Sequence, residues 1–369
     1  MSIYIYEQKG WPAFIWNDQR LITLLSKARN QEGVLIGNMQ ALGFSLREEA
    51  SLETITLEIV KSNEIEGEEL DTQQVRSSIA RRLGIEIGGL VPSDRDVDGV
   101  VDMVLEAIQN YQAALTKERL FDWHFALFPS ERSGMLKIKV GKWRDDATGP
   151  MQVVSGYMGR EQIHYQAPAA ASLDKEMDKF LHWVNSENSI DPVLKAAVAH
   201  LWFLTIHPFD DGNGRIARAI TDMLLARAEG VTQRFYSISV QIRKDRKQYY
   251  EVLERAQKST LDITDWLEWF LNCLLNALSA ADEILQKVIF KHKFWTQHAK
   301  VPLNERQIKV LNKLIEGFEG KLTTGKWAKI TKCSSDTALR DIKDLIDKNI
   351  LSKDDSGGRN TSYLLIGPI

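Results

Sequence analysis

Cysteine is scarce, and neither sign of charge dominates. Two cysteines in 369 residues, Cys273 and Cys333, lie far apart and form no metal-ligand pair and no disulfide framework. That usage fits a reducing cytoplasm, the expected location. The longest apolar run, Ala196 to Ile206, is broken by His200 and falls far short of a membrane span, so no membrane partner is expected. The start, MSIYIYEQKGW, lacks a basic segment followed by an apolar stretch, and no export signal is read there. A net charge of -3 argues against a chain wholly devoted to nucleic acid but leaves room for a small basic module. There is no G-x-x-x-x-G-K-[ST] loop, because Gly325-Lys326 is followed by Trp327. H-E-x-x-H, a nucleophile elbow, internal repeats and low-complexity segments are missing too.

What is present is the composition of a globular protein, with 44% hydrophobic and 26% charged residues. The length predicts two or three domains. After an aromatic start (Ile3 to Tyr6, Trp11, Trp16), helical spacing of apolar residues runs through Leu21, Leu24 and Leu25, then Leu52, Ile55, Ile59 and Val60. A loop is read at Gly88 to Asp98, then helices at Val100 to Leu115 and Arg119 to Phe128. Met151 to Val154 and Gln162 to Tyr165 read as a hairpin turning at Ser155 to Arg160. Helices follow at Leu173 to Asn185, Pro192 to Ile206, Arg215 to Glu229, Lys244 to Gln257 and Ile263 to Phe290; the second is apolar nearly all round and should be buried. Beyond Pro302 come short helices at Arg306 to Ile315, Thr324 to Ile330 and Ser335 to Lys348. A hairpin of Ile350 to Lys353 and Ser362 to Ile366, turning at Asp354 to Asn360, completes a winged-helix pattern.

The chemistry concentrates in His207-Pro208-Phe209-Asp210-Asp211-Gly212-Asn213-Gly214-Arg215-Ile216-Ala217-Arg218. A buried helix feeds a tight turn, and the turn feeds a second helix. The first amide groups of that helix lack intrahelical partners and, with the helix dipole, form an anion site. Gly212 and Gly214 let the backbone approach a ligand. Arg215 and Arg218 share a helix face and can fork onto phosphate oxygens. Asp211 is a hard oxygen ligand suited to Mg²⁺, and His207 can take a proton near neutrality. A base, a metal ligand, a phosphate cradle and two cations in one short stretch suit phosphoryl or nucleotidyl transfer.

This string matches at every defined position the signature H-P-F-x-[DE]-G-N-G-R-x-x-R, so the chain resembles the Fic (filamentation induced by cAMP) family. The resemblance implies a mainly α fold, with a Fic-type helical core and a β-hairpin flap, joined here by the C-terminal winged helix. It implies transfer of AMP from Mg-ATP to a Ser, Thr or Tyr hydroxyl of a protein. His207 would be the base and Asp211 the Mg²⁺ ligand. Asn213 and the amides of Gly212 and Gly214 would hold phosphate oxygens, Arg215 the β-phosphate and Arg218 the γ-phosphate. Phe209 would anchor the turn. Relatives that transfer phosphate carry Lys in place of Gly214, so Gly favours nucleotidyl transfer. Tyr250, in a Y-Y-x-x-L stretch, would stack on adenine; several relatives have Asn where this chain has Gln257. The hairpin would be the flap, with Val153, Val154 and Ser155 pairing an extended target segment.

Ser62-Asn63-Glu64-Ile65-Glu66-Gly67 matches the family's inhibitory motif, [ST]-x-x-x-E-[GN], on a helix at about 50–67. Glu66 would pair with Arg218 and take the charge meant for the γ-phosphate, with Ser62 in the same motif. In some relatives that Glu aligns a water that removes AMP, so a demodifying hydrolase remains open, as does a nucleotide-sensing transcriptional or scaffold protein. The N-terminal Trp-Pro-x-Phe-x-Trp pattern resembles a helical domain often fused ahead of bacterial Fic cores, carrying the brake helix or a homodimer contact. The expected domains are 1–98, 99–292 and 300–369. The last is left open between DNA and protein; Asp336, Asp341, Asp344 and Asp347 on its recognition helix would repel a phosphate backbone.

Overall fold

Capping side chains decide where several of the helices begin. The computed structural model describes residues 4–147, 149–156, 162–187, 189–318, 320–354 and 361–367. Asn17 accepts from the Arg20 amide and opens α1 (Asp18–Gln40). Helix α2 (Phe44–Glu66) ends on Gly67, which takes the left-handed conformation at φ 89°. Asp71, Asp94 and Thr116 cap α3 (Thr72–Leu83), α4 (Arg95–Gln109) and α5 (Lys117–Leu127) in the same way as Asn17. Two antiparallel hairpins follow, β1 (Arg132–Ser133) with β2 (Leu136–Lys137) and β3 (Gln152–Ser155) with β4 (Gln162–Gln166). Then come α6 (Leu173–Asn185), α7 (Pro192–Ile206), α8 (Asn213–Glu229), α9 (Ile238–Lys244), α10 (Arg246–Gln257) and α11 (Thr264–Gln297).

The chain divides into two compact units, Met1–Ala281 and Asp282–Ile369. In the first, α7 is the axis. Its residues from Ala196 to Ile206 are all buried, as an all-apolar helix requires. Helix α8 lies along it and is buried from Arg215 to Ala226, including two arginines. Helices α4 and α6 pack on this pair, and α2 packs on α3 and α9. The expected 1–98 region therefore shares one unit with most of 99–292, while 282–292 falls in the second unit.

The second unit contains α12 (Glu305–Gly317), β5 (Leu322–Thr323), α13 (Thr324–Thr331), α14 (Ser335–Asp347), β6 (Leu351–Lys353) and β7 (Ser362–Leu365). The strands form an antiparallel sheet in the order β5-β7-β6 over a core of Trp327, Leu311, Ile342 and Leu345. The expected charge of α14 is corrected here. Asp341 is buried and bonded by Arg306 Nε at 2.8 Å, and Asp344 is paired with Lys348 and accepts from Gln307 at 2.7 Å. Both charges are answered within the unit. The exposed face of α14 instead carries Arg340 and Lys343 beside Asp336 and Asp347.

The chain is mainly helical, as expected, and 173–185 and 192–206 match to the residue. Elsewhere caps moved the ends. Asp94 starts α4 inside the expected loop, and Asp245 separates α9 from α10. The pair β1–β2 and helix α9 were not anticipated. The expected turns at 155–160 and 354–360 lie mostly outside the described residues. Among the described residues no helix is long and apolar enough to cross a membrane.

Close helix approach makes one glycine indispensable. A Cβ on Gly99 of α4 would overlap the Ala126 carbonyl oxygen of α5, whereas Gly33 of α1 has open space around it. Gly99→Ala should lose about 1–3 kcal/mol, and Gly33→Ala should gain about 0.5–1 kcal/mol. Denaturant unfolding of the two variants checks the contrast.

Candidate active site

The turn from α7 to α8 is shaped by two left-handed residues. His207 ends α7 at φ 52°, and Gly212 precedes α8 at φ 79°. A side chain on Gly212 would come within 2.8 Å of the Phe128 ring, so this position requires glycine for space as well as conformation. Phe209 is fully buried, stacked on His124 at 4.1 Å and near Trp143 at 5.1 Å, which confirms it as the anchor of the turn. Asn213 differs from the expectation. Its Nδ2 donates to the Phe209 carbonyl at 2.8 Å, and its Oδ1 accepts from the Phe209 amide at 3.0 Å. Both ends of that amide hold the turn, so the side chain serves the backbone in this structure. Helix α8 has no side-chain cap, which leaves its first amide groups as the anion site.

His207 is half-buried, and desolvation pushes its imidazole down to about 4. Its Nδ1 lies 3.3 Å from the Leu204 carbonyl. A carbonyl only accepts, so Nδ1 carries the hydrogen and Nε2 keeps a free lone pair. Gln257 Nε2 donates to the same carbonyl at 3.1 Å. Gln257 thus supports the His207 corner from within the core, a contact its sequence position did not reveal. His124 is a second unanticipated support. Burial holds it neutral, down to about 4, and its Nε2 donates to the Asp211 carbonyl at 3.2 Å.

Asp211 sits between α8 and the β1–β2 hairpin. Its Oδ1 accepts from the Gly212 amide at 2.6 Å, and Ser133 Oγ donates to its Oδ2. The segment after that hairpin grips the turn again. Lys139 N donates to Asp210 at 2.9 Å, Arg144 N donates to Pro208 O at 2.9 Å, and Arg144 Nε donates to His207 O at 2.8 Å.

Both motif arginines are buried and both meet carboxylates from the α2 end. Arg218 Nη2 pairs with Glu66 Oε1 at 2.8 Å and donates to the Ser62 carbonyl at 2.9 Å, while its Nε donates to Ser62 Oγ at 2.7 Å. Burial works against the Arg218 cation, but Glu66 outweighs it and the guanidinium stays above its ordinary range. Arg215 Nη1 pairs with Glu68 at 2.6 Å and donates to Asn63 Oδ1 at 3.3 Å. Glu68, two residues beyond the motif Glu, was not anticipated. A Cβ on Gly214 would collide with Glu66 Oε1, so glycine there makes room for the carboxylate. Tyr250 OH lies 3.5 Å from Glu66 Oε2, with the Arg246 guanidinium 5.3 Å from its ring. Tyr249 instead turns into the core and donates to His200 at 3.0 Å. The structure therefore brings Ser62, Glu66, Tyr250, Gly214 and Arg218 together.

Helix α2 is clamped in this position. Its buried Glu58 accepts from Ser237 Oγ at 2.6 Å and from the Ser239 amide at 3.1 Å, both at the start of α9. Arg246 Nε donates to Ile65 O at 2.6 Å. A cleft of about 350 Å³ opens beside Arg215 and Glu68 and runs to Arg132 and Ser133.

The hairpin β3–β4 pairs Val153 with Tyr165 and Ser155 with Gln162, with an irregularity between Val153 and Val154. Val154 and Ser155 are exposed and Val153 is half-buried. His164 Nδ1 donates to Glu254 of α10 at 2.8 Å, and Ser155 Oγ donates to its Nε2 at 2.6 Å. Tyr165 OH donates to the Thr205 carbonyl of α7 at 2.6 Å, fixing the hairpin base close to His207.

Residues 114–225 match the Fic/DOC family model, and residues 4–85 match a domain of unknown function, DUF4172. The protein adenylyltransferase Fic of Drosophila grimshawi is 35% identical over 126 residues, covering 33% of this chain and 24% of that protein. Its namesake in Nematostella vectensis is 33% identical over 115 residues, covering 31% and 25%. The chain thus spans about a quarter of the length of the curated relatives it matches. Among solved structures, a Fic family protein from Desulfovibrio desulfuricans G20 superposes with a TM-score of 0.53 at 21% identity, covering 94% of this chain and 96% of that one. A Fic domain containing signaling protein from Bacteroides thetaiotaomicron gives 0.51 at 22% identity, covering 72% and 97%. Both likenesses concern the fold.

The desolvated His207 makes a measurable prediction. NMR titration of its imidazole in the nucleotide-free protein should show a midpoint near 4, below the ordinary 6.5. The neutral form is the one the fold favours, so its contribution to stability is present above pH 6.5 and lost as pH falls through 4. A midpoint near 6.5 would show a solvated ring.

Proposed function

Since the chain carries a Fic-family domain at residues 114–225, we propose that it is a protein adenylyltransferase that moves AMP from Mg-ATP to a protein hydroxyl and is braked by Glu66. The observation that carries the reading is a neutral His207, its Nε2 free, at one end of the turn whose other end is the uncapped start of α8. The target oxygen attacks the α-phosphorus, its bond to the oxygen bridging to the β-phosphate breaks, and pyrophosphate leaves. The hydroxyl proton passes to His207 Nε2. The α8 amide groups, Arg215 and Arg218 receive phosphate oxygens. Tyr250, beside Glu66, offers its ring to the base of the nucleotide.

Mg²⁺ fits the donor set. It is commonly held by one or two carboxylates together with substrate phosphates, and Asp211 supplies one hard carboxylate beside the α8 N-terminus. When bound, the ion neutralises phosphate charge. The β3–β4 hairpin pairs only with itself among the described residues, so its outer edges are open to an extended target segment, with Val153 to Ser155 as the recognition strand.

The brake follows from charge. A triphosphate needs both arginines, and Glu66 and Glu68 hold them now. The second unit is read as a winged helix, a docking module for protein or DNA. The free thiols Cys273 and Cys333 suit a reducing compartment such as the cytoplasm.

Incubation with α-³²P-labelled ATP, Mg²⁺ and cell lysate tests the reading. Glu66→Gly should raise label on protein roughly 5- to 150-fold, the size of an ordinary regulatory coupling. Adding His207→Ala to Glu66→Gly should lower it by about 100-fold or more. Label that is absent from every folded, ATP-binding variant would sink the transferase reading, and label indifferent to Glu66 would sink the brake.

A further inference from the structure

One buried guanidinium outside the motif touches both halves of the site. Arg144 has a fully buried side chain. Its three nitrogens reach three separate stretches of chain. Nε donates to the carbonyl of His207 itself at 2.8 Å. One Nη donates to the carbonyl of Pro168 at 2.6 Å, just past the end of β4. The other pairs with Asp146 at 3.0 Å, and Asp146 in turn accepts from the Ala170 amide at 2.7 Å. Burial lowers the Arg144 pKa, with Asp146 and Asp210 opposing that shift.

A hydrophobic residue would fill this space at far lower desolvation cost, so stability alone is a poor reason for a buried cation here. A planar fork that joins fixed carbonyls is a good one. His207 also sits in the left-handed region, where a residue with a side chain stays only when its surroundings hold it. Arg144 and its own amide hold the two carbonyls at that corner, those of His207 and Pro208.

We propose that Arg144 is a positioning residue that locks the exit of the β3–β4 hairpin to the backbone of His207, so that a target strand paired on the hairpin is held in fixed register with the base. The inference rests on the transferase reading for its function, but the mechanical link can be measured without it. The link predicts a specific failure. Loosening Arg144 lets hairpin and imidazole drift apart while the phosphate cradle, built by α8, stays intact. The hydroxyl then misses the base, although the nucleotide still binds.

The test uses the full chain carrying Glu66→Gly, with and without Arg144→Lys, whose single ammonium cannot fork across three acceptors. Val184→Ala, a core truncation in α6, serves as a control for stability loss. The transfer rate to lysate protein at saturating ATP should fall about 100-fold with Arg144→Lys. ATP affinity by calorimetry should stay within about twofold, as should the ATP KM. Amide exchange should accelerate by about tenfold in residues 165–170 and 207–209 together. Val184→Ala should lower the melting temperature and leave the transfer rate unchanged. If Arg144→Lys does not fold, Asp146→Asn weakens one anchor and should give the same pattern at smaller size. A transfer rate within about twofold of the parent would overturn the proposal. So would a rate loss that tracks ATP affinity, or faster exchange in only one of the two segments. If the parent labels nothing, the transferase reading fails and exchange alone decides. Joint loosening upholds the link, and separate or absent loosening overturns it.

Discussion

Everything around His207 depends on reversing the chain between two helices that are buried on nearly every side. Helices α7 and α8 lie along each other, and the turn between them cannot relax outward without dragging apolar residues into water. The turn must satisfy its own polar groups in a small space. Asn213 closes it onto Phe209, His124 holds the Asp211 carbonyl, and the segment around Arg144 holds the carbonyls of His207 and Pro208. His207, Asp211 and the start of α8 inherit their positions from that closure. Preorganisation of this kind is what electrostatic stabilisation of a transferred phosphate requires.

The same burial dictates the electrostatics. Arg215 and Arg218 lie on the inner part of α8, and a buried cation needs an anion. The end of α2 provides two, Glu66 and Glu68, and Glu58 pins that helix to α9 a few turns earlier. Displacing Glu66 frees Arg218 while Glu68 keeps Arg215, so a lone substitution lifts only part of the cover. In the function proposed, a nucleotide must replace an ion pair at each arginine.

The contiguous part of the site was legible because its chemistry is local. Residues 207 to 218 carry a histidine, an aspartate pair, glycines and arginines within a turn and one helical turn, and apolar spacing located the helices around them. What stayed hidden acts at long range. Arg144 meets His207 across 63 positions, and Glu68 meets Arg215 across 147, with no periodicity to mark either pair. Glu58 looked like any charged residue on a helix, yet it is buried against two serines of α9. Asn213 could not be resolved from its type, because an amide serves a ligand and a backbone turn equally well. The aspartates of α14 misled for a similar reason. Their charge was visible and their partners, Arg306 and Lys348, were not.

Under the proposed brake, Gly214 ties regulation to inheritance. Its missing side chain is what lets Glu66 Oε1 come against α8, beside the first amide groups of that helix. Any replacement at this codon would crowd the carboxylate and, on the function proposed, the nucleotide as well. On the function proposed, a lineage could not shed the Glu66 contact through Gly214 and keep the transferase working. Loss of restraint must come from α2 or from what anchors it, so drift toward an unrestrained descendant should leave its trace in the segment around residues 58 to 68 and spare the motif itself.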